Sequence, residues 1–139
     1  MNLNELKHTI IENKVRGIIR CSTGYKDNEE VCHCQLNATE NYSVWTISSW
    51  YTKKGYGNQG IGRASMRELL IYMCKTYGIP KKVEYIWNGA NAYVMDFLEE
   101  NFDAVCNCPI AVQKTQMEDD WESHIYTLNK EKVLSYFNA

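Results

Sequence analysis

Gly55-Tyr56-Gly57-Asn58-Gln59-Gly60-Ile61-Gly62, followed at once by Arg63-Ala64, is the stretch on which the reading of the fold turns. Glycines this dense exclude a regular element. Before the stretch, residues 42–52 are rich in β-branched and aromatic side chains and read as a long strand. After it, Ala64, Met66, Leu69, Leu70, Met73 and Cys74 recur at helical spacing until Tyr77-Gly78. A strand that breaks into glycines and restarts as a helix presents unpaired amides and the positive end of a helix dipole. Glycines also let the backbone approach an anion without a Cβ in the way. Gly60 and Gly62 stand where that contact forms, so the loop reads as the seat of a diphosphate-bearing cofactor. It is not a Walker loop, because no Lys follows Gly62. Gly55-x-Gly57-x-x-Gly60 has the spacing of a dinucleotide fingerprint, but the strands before it read as antiparallel and no ribose-binding acid follows at the expected distance.

Outward from the loop, Leu6, Ile10 and Ile11, with Leu3 just upstream, predict a short amphipathic helix over 4–13. Residues 15–21 predict a strand ended by the turn-like Ser22-Thr23-Gly24. Residues 30–36 alternate Val31, His33, Gln35 against Cys32, Cys34, Leu36, which is a strand with one face in the core, and 37–41 read as a turn. Strands joined in this way predict an antiparallel sheet in the first half. Beyond Pro80, residues 82–87 read as a strand, 91–100 as a helix burying Tyr93, Val94, Phe97 and Leu98, and 104–113 and 124–128 as two last strands around an acidic loop at 117–122. The order is helix, three strands, helix, strand, helix, two strands: an α/β chain.

The length of 139 residues predicts one domain, 1–139, with a core that needs no staples. A net charge of −2 makes no global case for nucleic acid or an anionic membrane. The N-terminus lacks the features of a signal peptide and no apolar run is long enough to span a bilayer, so a cytoplasmic protein is expected. Cys21, Cys32, Cys34, Cys74, Cys106 and Cys108 then read as buried free thiols. Cys32-His33-Cys34 and Cys106-Asn107-Cys108 have one intervening residue, short of the spacing of zinc pairs, so no metal is expected. His33 is expected to be solvated on the opposite sheet face, and His124 to lie at the surface.

The segment Gly57-Asn58-Gln59-Gly60-Ile61-Gly62-Arg63-Ala64 resembles the acyl-CoA-binding motif of the GCN5-related N-acetyltransferase (GNAT) superfamily, Arg/Gln-x-x-Gly-x-Gly/Ala, and the element order from about Val15 to Leu128 is similar to that family's. The resemblance implies a mixed, mostly antiparallel central sheet flanked by helices. It implies that backbone groups of Trp50, Tyr51 and Thr52 bind the pantetheine arm, and that amides of Gly57, Asn58, Gln59, Gly60, Ile61 and Gly62, with Arg63 beside them, wrap the pyrophosphate. Asn88 contacts the cofactor further along. Gly57 replaces the motif's opening Arg/Gln, Asn101-Phe102 its usual Gly-Phe after the next helix, and Phe97 its general-acid tyrosine. Lys53, Lys54, Arg63 and Arg67 form a basic rim with no acid between them in sequence.

Acyl transfer to an amine needs a neutral amine, a stabilised oxyanion and a proton for the thiolate. Tyr93, one helical turn before Phe97, is the candidate acid. Glu84 on the following strand is the candidate base, because residues 42–52 hold no carboxylate; His124 is a further option. The expected activity is acetyl-CoA-dependent N-acylation of a small-molecule amine or a protein amino group. The alternative is a catalytically silent relative that binds acyl-CoA or a protein without turnover. A nucleic-acid role finds support only in the basic rim and the aromatic content. Glu118-Asp119-Asp120 and Glu122 offer a cationic acceptor a complementary charge, and Val133, Leu134, Tyr136 and Phe137 suit either a homodimer contact or a packed C-terminal helix.

Overall fold

The computed structural model describes residues 2–26, 29–87, 92–107 and 124–139. A single 3-10 turn, Leu3–Glu5, leads into β1 (Leu6–Asn13), β2 (Ile18–Tyr25), β3 (Glu29–Thr39) and β4 (Val44–Thr52). Then follow α1 (Ile61–Tyr77), β5 (Lys82–Trp87), α2 (Ala92–Phe102), β6 (Val105–Cys106), β7 (His124–Leu128) and α3 (Lys130–Tyr136). The strands make one seven-stranded sheet in the order β1-β2-β3-β4-β5-β7-β6. All neighbours are antiparallel except β4 and β5.

The first element departs from the sequence expectation: residues 6–13 form a strand, not a helix. Leu6, His8, Ile10 and Glu12 are half-buried while Lys7, Thr9, Ile11 and Asn13 are exposed, the period-2 pattern of a strand. Leu6 and Ile10 satisfy both the helical and the strand period, so their spacing alone does not discriminate. Continuous pairing with β2, from Leu6↔Tyr25 to Asn13↔Ile18, decides it. The second strand is displaced for the same reason. Val15 lies in the β1–β2 turn, almost fully exposed, and Ser22-Thr23-Gly24 is strand interior, with Thr23 completely buried. The C-terminal residues take the helical option, burying Val133, Leu134 and Phe137.

One face of the sheet is covered by α1, which buries Ile61, Ser65, Met66, Leu69, Leu70 and Met73. Met66, Leu69, Leu70 and Met73 pack with Cys21, Cys34, Leu36, Trp45, Ile47 and Val83 from the four strands β2 to β5 in one apolar cluster. Each large side chain removed from water there contributes about 1.5–3 kcal/mol. Cys21, Cys32 and Cys34 are buried and free, as expected; Cys74 and Cys106 are half-buried, and Cys108 lies outside the described residues. Burial pushes the Cys32 thiol up. His33 does face away from these thiols, but it is not simply solvated. It is half-buried 3.0 Å from the Ser49 hydroxyl and rests on the Tyr51 ring. Burial, then the charge of Arg20, lowers its pKa.

A polar clasp ties β1 to the C-terminal end of α1. The Glu12 carboxylate accepts hydrogen bonds from Tyr72 (2.6 Å) and Tyr77, whose ring stacks on Tyr42 at 4.3 Å. Burial opposes ionisation of Glu12, but the two phenol hydroxyls and Lys14 together outweigh it and leave its pKa below the ordinary 4.5. A carboxylate lowered in this way stabilises the fold fully above its unfolded value, and the contribution is lost as pH falls through the lowered one. Urea titrations between pH 7 and pH 3 are therefore expected to show an acid-side loss of stability that is smaller in Glu12→Gln. A second expectation concerns the β1–β2 turn. Gly17 has φ +64°, and a Cβ there would meet the Ala38 carbonyl oxygen at 2.5 Å. Gly17→Ala is expected to cost about 2 kcal/mol or more in urea unfolding.

Candidate active site

Among the described residues one strand pairing is parallel, and it is short. β4 and β5 are in register from Val44↔Lys82 to Ile47↔Tyr85, and beyond that point residues 48–52 of β4 have no partner on the β5 side among the described residues. The pairing of β4 with β3 jumps at the same place, from Leu36↔Ile47 to Gln35↔Ser49, leaving Ser48 as an extra residue. Such a bulge bends and twists its strand. It also changes which face each residue takes: Trp45 and Ile47 face α1 before it, Trp50 and Thr52 after it.

A cavity of about 370 Å³ opens between the parted strands. Its outer end is the glycine loop and first turn of α1, with Tyr56, Asn58, Gly60, Ile61, Gly62 and Arg63; its inner end is formed by Trp50, Thr52, Tyr85, Val94 and Phe97. Gly60 has φ +81° at the helix N-cap, so no side chain caps the first turn, and no acidic residue sits in it. An N-terminus without a cap or an acid is a weak helix start and a strong anion site. Gly62 is confined as well. A Cβ would lie 3.2 Å from Thr52 Oγ1 and 3.3 Å from Trp50 Nε1, whose N–H donates to the Gly62 carbonyl at 3.0 Å.

The residues expected from sequence separate into groups. Trp50, Thr52, Asn58, Gly60, Ile61, Gly62 and Arg63 line the cavity together. Gly57 and Gln59 are exposed loop residues beside it, and Tyr51 points to the other sheet face against His33. Glu84 also faces away. Its carboxylate accepts from the Thr46 hydroxyl (3.3 Å) and the Asn107 amide (3.1 Å), with the Lys82 ammonium at 3.4 Å. His124, expected at the surface, is buried beside Trp87 and Tyr126. Asn88, the acidic loop 117–122 and the side chain of Tyr93 lie outside the described residues.

The basic rim is less uniform than its sequence suggests. Lys53 pairs with Glu29 from β3, and the Arg63 guanidinium lies 4.4 Å from the Tyr136 ring centre while donating to the Tyr136 carbonyl. Phe97 occupies the inner wall, its ring edge-on to Trp50, Phe102 and Tyr136. Sequence reasoning missed Tyr85. The signal was available, because alternation from buried Val83 puts Tyr85 on the α1 face and Glu84 on the other. Burial pushes the Tyr85 phenol up, so it stays protonated at neutral pH. Among the described residues no helix is long and apolar enough to cross a membrane, and no group of three or more His, Cys, Asp or Glu is gathered to hold a metal.

No protein-family model matches the sequence, and no curated protein matches it. Solved structures do match. A GNAT family acetyltransferase from Elizabethkingia anophelis, with acetyl-CoA bound, is 12% identical with a TM-score of 0.60 over 90% of this chain and 97% of that one. A GNAT family acetyltransferase from Staphylococcus aureus Mu50 is 17% identical, TM-score 0.60, covering 84% of this chain and 71% of that one. The PaiA N-acetyltransferase of Thermoplasma acidophilum, in complex with coenzyme A, is 14% identical, TM-score 0.57, over 80% of this chain and 60% of that one. The chain has the GNAT acyltransferase fold: a mixed, mostly antiparallel sheet with flanking helices.

Trp50 joins the loop, the helix and the aromatic wall, so it is the residue to remove in a stability test. Trp50→Phe keeps the ring contacts and deletes the N–H to Gly62. It is expected to cost about 1 kcal/mol in urea unfolding.

Proposed function

We propose that the chain is an acyl-CoA-dependent N-acyltransferase, transferring an acetyl or other acyl group to a primary amine of a small molecule or a protein. One observation carries this reading: the unpaired stretch of β4 and the uncapped start of α1 border the same cavity. A ligand suited to it has an anionic end for the amides and a thin arm that hydrogen-bonds as a strand would. Coenzyme A has both, a pyrophosphate and a linear pantetheine arm with two amides. Two of the solved structures named above hold coenzyme A or acetyl-CoA.

In this reading amides over Gly57, Asn58, Gln59, Gly60, Ile61 and Gly62 hold the pyrophosphate, and Arg63 adds positive charge beside them. Backbone groups of Trp50, Tyr51 and Thr52 take the arm, and Asn88 meets the cofactor further along. The thioester supplies an activated acyl carbon. Glu84, next to the parting of the strands, serves the amine as base from the opposite sheet face, and Tyr93 is the proton donor that the sequence offers on α2.

Calorimetric titration with acetyl-CoA tests this directly. The wild type is expected to bind saturably. Gly60→Asp and Gly62→Asp, with circular dichroism confirming that they fold, are expected to weaken binding by more than about tenfold, or about 1.4 kcal/mol, because each sets a carboxylate against the phosphates. A folded wild type that does not bind overturns the reading. Binding with no thiol release across a panel of amines favours the catalytically silent alternative.

A further inference from the structure

A second cluster of reactive groups lies away from the cavity, where β2 and β3 pass beneath α1. Cys21 and Cys34 stand directly opposite each other in that antiparallel pair, and both side chains face α1. Opposed residues of this kind hold their Cα atoms about 4.5 or 5.5 Å apart. Both spacings fall within the roughly 4.4–6.8 Å that a disulfide spans. The two thiols are within hydrogen-bonding reach of each other. Cys32 is displaced from them by one pair, opposite Thr23, and its sulfur accepts from the Thr52 hydroxyl.

The surroundings are polar where the rest of this core is apolar. Among the described residues the buried polar side chains are Thr23, Ser65 and His124, and the first two meet here. The Thr23 hydroxyl donates to Ser65 Oγ at 2.9 Å, with His8 Nδ1 2.8 Å from Thr23 Oγ1. Ser65 Oγ lies 3.5 Å from Cys34 Sγ. Thiols that served only to fill space would need none of these groups. Hydrogen bonding from Cys34, and beyond it from His8, Ser65 and Thr23, holds the Cys21 thiol well below its ordinary range despite burial. The bond to Cys21, with burial, pushes the Cys34 thiol up. One sulfur is a nucleophile and its neighbour keeps a proton.

We propose that Cys21 and Cys34 form a redox-active dithiol that a small peroxide closes to a disulfide inside the core. This does not rest on the acyl-CoA reading. The Cys21 sulfur attacks one peroxide oxygen, the oxygen–oxygen bond breaks, and the departing oxygen takes back the proton that Cys21 released, as water. The Cys34 sulfur then attacks the sulfur of the resulting sulfenic acid. The sulfur–oxygen bond breaks, and the hydroxyl leaves with the Cys34 proton as a second water. The two thiols lose two electrons and the peroxide takes both. Neither sulfur is exposed, so entry needs a local opening. Cys21 is paired on its other side with Ile10 of β1, the edge strand of the sheet. An edge strand opens at a lower free energy than the sheet interior, and a small uncharged peroxide can follow.

The test treats the folded wild type with stoichiometric hydrogen peroxide at neutral pH, blocks the remaining thiols and maps the tryptic peptides. The expected product is peptide 21–26 linked to peptide 27–53, bridged from Cys21 to Cys34 and released by dithiothreitol. Fragmentation between Cys32 and Cys34 places the bridge in the wild type itself. Cys34→Ser is expected to abolish the linked pair, and Cys32→Ser, with its fold checked by circular dichroism, to keep it. A bridge to Cys32 overturns the assignment, as does a linked pair that forms only in urea. Cys21 recovered as a free thiol or as a sulfinic acid overturns it too.

Discussion

Four residues of parallel pairing hold β4 against β5, and then the two strands part. A sheet interior normally leaves no backbone group unpaired, because an unmet N–H or C=O away from water is costly. Here β4 keeps β3 on one side, while on the other side residues 48–52 have no partner strand among the described residues. The extra residue at Ser48 bends the strand at the point of departure and turns Trp50 and Thr52 to the α1 face. Without that shift Tyr51 would face α1, and the indole that bonds Gly62 would point to the other side of the sheet. The cavity, its lining and its approach to the helix start all follow from one inserted residue.

The start of α1 gives up local stability in the same place. Ordinary helices begin with a Ser, Thr, Asp or Asn cap and favour acids in the first turn. This one begins with a left-handed glycine and carries Arg63 in its first turn. The helix can do without the cap because six of its side chains are buried against the sheet, and burial outweighs the roughly 1 kcal/mol of a missing cap. Arg63 is in turn balanced by the carbonyl and ring of Tyr136 at the end of α3. Its charge is held next to the free amides, which adds to their pull on an anion.

The glycine loop, α1, β5 and α2 could be read from the sequence because each combines a periodic apolar stripe with a clear stop, such as Gly78 and Pro80. β1 could not, since Leu6 and Ile10 suit two periods and only the pairing with β2 separates them. The bulge at Ser48 was also hidden. It is a property of register, set by two strands at once, and nothing in Ser48-Ser49 announces it. Tyr85 is different: alternation from buried Val83 puts it on the α1 face, whereas the chemistry of a base singles out its carboxylate neighbour Glu84 on the other face. The exposed-looking His124 fails for a tertiary reason, the closing of Trp87 and Tyr126 around it.

The C-terminal helix is part of the site although none of its residues lines the cavity. At seven residues, α3 is too short to persist by its own hydrogen bonds. It is held by the Asn129 side chain on the Lys132 amide, by the Asn129 amide on the Phe102 carbonyl, and by burial of Val133, Leu134 and Phe137. In return Phe137 packs edge-on to Trp50 at 5.8 Å, and Tyr136 to Phe97 at 5.6 Å. Both rings of the cavity wall therefore have α3 behind them. The wall is fixed from the end of the chain and the glycine loop from its middle, so the cavity takes its shape only when the two halves have packed together.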